Sequence, residues 1–127
     1  MTSKEIIIKF LNEGGFRYQE VDENICFKFQ LVNYIFMHNA CDELLQLVMI
    51  FYDVTDENRQ KVLECANTVN QEKALAKLTV DEDSVWVNCE DFVDDNYPET
   101  KIPLMLGLME NARQRFYELM RKQDEET

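Results

Sequence analysis

The stretch from Leu44 to Tyr52 does most to narrow what this chain can fold into: eight of its nine residues are apolar and only Gln46 is polar. It falls far short of the roughly 20 residues that cross a bilayer as a helix. Polar residues bound it on both sides, Asn39–Glu43 before and Asp53 after, as expected of a strand. Successive side chains of a strand point to opposite faces. Leu45, Leu47, Met49 and Phe51 therefore share one face, and Leu44, Val48, Ile50 and Tyr52 the other. An antiparallel strand with one face in water is polar on that face; this one is not. Residues 33–38 repeat the pattern, with Ile35 and Met37 opposite Tyr34 and Phe36. In Ser84–Cys89, Val85 and Val87 lie on one side and Trp86 stands on the other, between Ser84 and Asn88. The pattern predicts a sheet that is apolar on both faces.

The rest of the chain supplies what can cover such a sheet. Ser3 to Glu13 reads as a short helix capped by Ser3, with Ile7, Phe10 and Leu11 on one face and Gly14-Gly15 as its stop. Phe16–Val21 is a first strand. Ile25, Phe27 and Phe29 alternate with Cys26, Lys28 and Gln30 in a second, and the short link after Gln30 makes a hairpin with the third. Thr55 caps a second helix, in which Val62, Leu63, Ala66 and Val69 recur at helical spacing, ending near Asn70. Leu75–Val80 and Ser84–Cys89 form a second hairpin across Asp81-Glu82-Asp83. A last helix starts near Thr100 or Lys101 with Pro103 in its first turn, where a missing N–H costs least. Ile102, Met105, Met109, Ala112, Phe116 and Leu119 give it one long apolar stripe. The order is α-β-β-β-β-α-β-β-α. Links between consecutive strands are too short for crossovers, so the class is α+β with a mainly antiparallel sheet. Residues 1–122 form one domain, and 123–127 an acidic, solvated tail.

Charge is uneven. The chain carries 13 Lys and Arg against 25 Asp and Glu, a formal net charge of −12. Nucleic acid is therefore not an expected partner, because phosphate contacts need clustered cations. The imbalance is concentrated in 41–100 and is densest from Asp81 to Glu99, a stretch without Lys or Arg that also holds Glu82, Asp83, Glu90, Asp91, Asp94 and Asp95. Such a run serves as solvated turns and helix-start carboxylates, or as a docking surface for a basic partner. The first residues lack the apolar run of a secretory signal, and the apolar stretches are too short to span a bilayer, so no membrane association and a cytoplasmic location are expected. Four scattered cysteines, Cys26, Cys41, Cys65 and Cys89, without C-x-x-C spacing, agree with free thiols in a reducing compartment.

Catalytic chemistry finds little footing. The single histidine, His38, has Cys41 three residues on, which supplies at most two adjacent ligands where zinc needs three or four, and no motif marks a Cys–His nucleophile pair. Glu90, Asp91, Asp94 and Asp95 lack the glycine and alternating oxygens of an EF-hand loop. Walker, Rossmann and G-x-S-x-G signatures are missing from the sequence. The expectation is a protein that is not an enzyme, with no catalytic residues, metal or cofactor.

Several segments together resemble the YbjN-type family, part of the type III secretion chaperone-like fold: Asn12-Glu13-Gly14-Gly15-Phe16-Arg17-Tyr18, Asn24-Ile25-Cys26-Phe27-Lys28-Phe29, Phe51-Tyr52-Asp53-Val54-Thr55, Ala66-Asn67-Thr68-Val69-Asn70 and Ser84-Val85-Trp86-Val87. The resemblance spans about residues 5–121. It implies a compact α+β domain that often dimerises and binds other polypeptides, or acts in bacterial regulation. Secretion chaperones of this fold are small, acidic, cytoplasmic dimers.

Two arrangements satisfy a two-sided sheet. The three helices may divide between its faces, or one face stays open until a partner or a second copy covers it; sizeable exposed apolar patches usually mark such contacts. On the second reading Trp86, Tyr52 and Ile50 are the expected partner-binding anchors, since large aromatics dominate interface energetics. The expected function is a non-enzymatic protein-binding module that holds a polypeptide partner as a homodimer; the alternative is a regulatory domain binding a small molecule.

Overall fold

A computed structural model of the chain describes residues 1–93 and 98–126. The elements are α1 (Ser3–Gly14), β1 (Tyr18–Val21), β2 (Asn24–Phe29), β3 (Val32–Met37), β4 (Leu44–Asp53), α2 (Arg59–Glu72), β5 (Ala76–Val80), β6 (Ser84–Phe92) and α3 (Pro98–Glu126). This is the α+β order expected from the sequence. The six strands form one antiparallel sheet in the order β1-β2-β3-β4-β6-β5. The first four make a meander. After β4 the chain crosses through α2 to the far edge, and β6 returns between β4 and β5.

Cross-strand register sorts the side chains. Ile25, Phe36, Leu47, Cys89 and Ala76 form one row across five strands, and Met49, Val87 and Leu78 another. All eight are buried, in the same cluster as the apolar stripes of the three helices. Ile6, Ile7 and Leu11 come from α1, Val62, Cys65, Ala66 and Val69 from α2, and Ile102, Met105, Leu106, Met109, Ala112, Phe116 and Met120 from α3. The helices thus share one side of the sheet, and the molecule has two layers.

Several local details differ from the sequence expectations. Thr2, not Ser3, caps α1: its hydroxyl accepts from the Glu5 N–H at 3.2 Å, while the Ser3 N–H donates to Asp42 O at 2.7 Å. Ser3 is buried, whereas a capping hydroxyl sits at the exposed helix start. Gly15 ends α1 in the left-handed conformation (φ 69°) that a side chain disfavours, and Gly14 leaves room for the Phe16 ring. The residue preceding α2 is Asn58, which exchanges two hydrogen bonds with Thr55, so Thr55 closes the preceding turn. α2 continues to Glu72, past Asn70. α3 starts at Pro98, which places Pro103 inside the helix rather than in its first turn.

α3 also continues through residues 123–126, where a solvated tail was expected. Lys61 pairs with Asp124 and the Gln123 amide donates to Glu64, so the last turns lean on α2. A bidentate Arg115–Glu72 pair (2.7 Å) ties the two helices further along and holds the Glu72 carboxyl below its usual range, chiefly through that hydrogen bond.

Candidate functional site

Among the described residues, no helix covers the opposite side of the sheet. Its central row is Cys26, Ile35, Val48, Asn88 and Lys77 across β2, β3, β4, β6 and β5. Flanking rows are Met37–Gln46–Glu90 and Ile50–Trp86–Thr79, with Leu44 opposite Phe92 at one end. None of these residues belongs to the helix-side core. Val48 is only 2% exposed, flanked in register by Ile35 and Asn88 rather than capped by a helix. Around it Cys26, Ile35, Met37 and Trp86 are half-buried, Ile50 is 49% exposed and Phe92 64% exposed. The polar groups here are engaged with one another. The Gln46 amide donates to Asn88 (2.7 Å), Asn88 donates to Glu90 (2.9 Å), and the Trp86 indole N–H donates to Ser84 Oγ (2.6 Å). The surface therefore mixes apolar side chains with amides whose hydrogen bonds close internally, an arrangement suited to losing water.

Of the three expected anchors, register brings Ile50 and Trp86 side by side and removes Tyr52 from them. The ladder runs Ile50↔Trp86 and then Tyr52↔Val85, so Phe51 is an extra residue on β4. This β-bulge flips the alternation beyond it. Tyr52 turns to the helix side, where its ring meets Phe116 at 5.1 Å and Tyr117 at 5.9 Å. Phe51 also packs edge-on against Phe116 (5.3 Å), and its carbonyl accepts from the Tyr117 hydroxyl at 2.9 Å. Placing Tyr52 on the face of Ile50 was thus incorrect, because strict alternation cannot foresee a bulge. The open face gains Phe92 instead. The sequence pattern predicts a strand ending at Cys89, whereas β6 continues to Phe92 and so adds this ring to the face.

The edges of the sheet are unequal. Asn70 of α2 reaches the outer side of β5, its Oδ1 accepting from Leu78 N–H (2.7 Å) and its Nδ2 donating to Leu78 O (3.0 Å). That side-chain amide occupies the place of a neighbouring strand and blunts the edge. The Lys77 ammonium donates to the carbonyls of Asn70 and Lys73, at the C-terminal end of α2 where a cation is favoured. At the other edge, β1 is exposed along its length.

The acidic stretch does not form one surface. Asp81, Glu82 and Asp83 occupy the β5–β6 turn, where the Arg59 guanidinium donates to the carbonyls of Asp81 and Glu82. Asp91 pairs with Lys101 at 3.2 Å, and Glu90 lies on the open face. Asp94, Asp95 and the side chain of Glu99 lie outside the described residues. His38 sits 3.5 Å from Glu23, and the nearby Cys41 is exposed. Among the described residues, no three His, Cys, Asp or Glu side chains are grouped so that they could hold a metal ion. No described helix is long and apolar enough to cross a membrane.

Comparison with models of known protein families finds no match, and no curated protein matches the sequence. Solved structures do match. An uncharacterized protein from Methanothermobacter thermautotrophicus superposes with a TM-score of 0.70 over 95% of this chain and 98% of that one, at 14% identity. YbjN from E. coli, described as a candidate transcription regulator, gives a TM-score of 0.63 over 96% of this chain and 91% of its own, at 8% identity. Likeness at such low identity concerns backbone architecture, and on that measure the fold of this chain is YbjN-like.

Proposed function

We propose that the chain is a non-enzymatic, cytoplasmic protein-binding module whose open sheet face is its contact surface, and that the first occupant of that face is a second copy of the chain. The observation that carries this reading is the charge of the face. Its strand positions hold Lys28 against Asp53 and Glu90, with the Lys77 ammonium turned away to the end of α2, a net of only −1 in a chain of net charge −12. A surface meant for a basic partner would keep its acid. A nearly neutral, largely uncharged surface suits another like itself, and an isologous pair brings it against its own image. Ile50 and Trp86 lie side by side on it and are the anchors. The description of the E. coli neighbour as a regulator is compatible with regulation through protein contact; the acidity of this chain disfavours direct contact with DNA.

The test is light scattering and sedimentation over a concentration series, on the wild type, Ile50→Glu and Trp86→Ala. Ile50 is exposed in the single chain, so Ile50→Glu should keep its circular dichroism spectrum and melting temperature. The reading expects a micromolar wild-type dimer that Ile50→Glu converts to monomer and Trp86→Ala weakens. A wild type that stays monomeric at 100-fold higher concentration overturns self-pairing, as does a dimer indifferent to both substitutions.

A further inference from the structure

On the helix side of the sheet, away from the open face, a cleft of about 420 Å³ lies between the β2–β3 turn and the middle of α3. That volume falls within the range of small-molecule sites. Phe29, Val32, Pro103 and Leu106 make its apolar walls, and Gln30, Tyr34, Glu110, Asn111 and Gln114 its polar lining.

Three features shape the cleft. The first is Tyr34. It is 2% exposed, its ring stacks on Phe27 at 5.6 Å, and its hydroxyl, which makes no hydrogen bond among the described residues, keeps its remaining surface in the cleft. An accessible hydroxyl in an otherwise buried ring is free to bond a ligand. The second is Gly107, inside a 29-residue helix. Glycine there costs about 1 kcal/mol relative to alanine, and no packing demands it, since a Cβ would meet nothing within 4 Å. Its missing side chain keeps the wall of the cleft low. The third is the lip. Gln30 (φ 49°) and Leu31 (φ 68°) hold the left-handed backbone that a two-residue hairpin turn requires, as Asp22 and Glu23 do in the preceding turn, and Leu31 is 90% exposed.

The charge of the cleft specifies its ligand. Glu110 is its only charged lining residue, and it is already held by Arg113 (3.1 Å) and the Gln114 amide (3.1 Å). No free ion remains to balance a charged ligand. What remains are neutral groups that donate and accept: the Tyr34 hydroxyl and the side-chain amides of Gln30 and Asn111. We propose that this cleft is a binding site for an uncharged small molecule with an apolar body and an amide-type head, its head meeting the Tyr34 hydroxyl and its body lying against Gly107. Burial, reinforced by Glu110, pushes the Tyr34 phenol up to about 12, so it stays a hydrogen-bond donor at any working pH.

The test uses the full chain labelled with ¹⁵N and titrated with benzamide, benzoate and benzylamine, which share a body and differ in charge. The chain has three glycines, so the Gly107 amide signal is readily followed. Benzamide should shift Gly107 and the Gln30 and Asn111 side-chain amides saturably, and at least tenfold more tightly than either charged analogue. Tyr34→Phe should weaken benzamide about fivefold, the loss of one neutral hydrogen bond, without lowering the melting temperature, because the hydroxyl bonds nothing in the free protein. Gly107→Leu, which has room and favours the helix, should abolish binding in a folded protein. Binding that ignores Gly107→Leu, equal binding of the charged analogues, or no saturable shift at 20 mM benzamide overturns the proposal.

Discussion

The two faces of this sheet are made by the same strands and differ in almost every physical respect. Met49 and Ile50 are chain neighbours. Met49 is sealed under the helices beside Leu47 and Val87, and Ile50 is half in water beside Trp86. The helix side is apolar through its centre, with acids only towards its margins, and draws on three helices. The open side mixes Ile35, Val48 and Ile50 with an amide chain, Gln46–Asn88–Glu90, that closes its own hydrogen bonds. Hydrophobicity at single positions therefore does not distinguish a core from a contact surface. What distinguishes them is whether the chain has helices left to cover the surface, and here all three lie on one side.

The largest expected effect breaks this contrast at its sharpest point. Met49→Ala should destabilise by about 2–5 kcal/mol in urea unfolding, the usual range for truncating a buried large side chain. A loss below about 1 kcal/mol would show that the helix side is not the tighter one.

Alkaline pH comes next. Burial, with Asp91 and Glu90 nearby, pushes the Cys89 thiol up to about 11 from an ordinary value near 9. The folded state holds a proton that the unfolded state releases, so the stabilisation is full below pH 9 and lost as pH rises through 11. The loss should be about 2–3 kcal/mol, read as a fall in the urea midpoint that Cys89→Ala flattens. Tyr34 adds a fall of the same sign between pH 10 and 12.

Thiol reactivity compares the faces without a mutation. Cys26 lies half-buried on the open face and Cys41 is exposed, whereas Cys65 and Cys89 are buried under the helices. A thiol-specific reagent at pH 8 should titrate the first two in the folded protein and the last two at least about a hundredfold more slowly, since reaction needs an accessible thiolate. Rapid labelling of all four would show that the helix layer opens readily.

The smallest effect is the counterpart of the first. Ile50→Ala should change the stability of the isolated subunit by no more than about 0.5 kcal/mol, as is usual for exposed positions. A larger loss that depends on protein concentration would instead measure the pairing of subunits.

Much of this was legible beforehand because it depends on short-range periodicity. The 3.6-residue recurrence from Ile102 to Phe116 specifies the buried stripe of α3, and two-residue alternation specifies which sides of Ile25–Phe27, Tyr34–Phe36 and Val85–Cys89 are core. The apolar far side and the membership of Ile50 and Trp86 followed from the same alternation. Tertiary contacts decided the rest. The bulge at Phe51 carries Tyr52 to the other face, where the ring of Phe116 and the hydroxyl of Tyr117, more than sixty residues away, hold the two displaced aromatics. The engagement of Asn70 with the edge of β5, and the meeting of Tyr34 with Gly107 at one cleft, likewise join residues distant in sequence. Periodicity determines which way a side chain points within its own element. What it then points at depends on how the elements pack, and only the folded chain settles that.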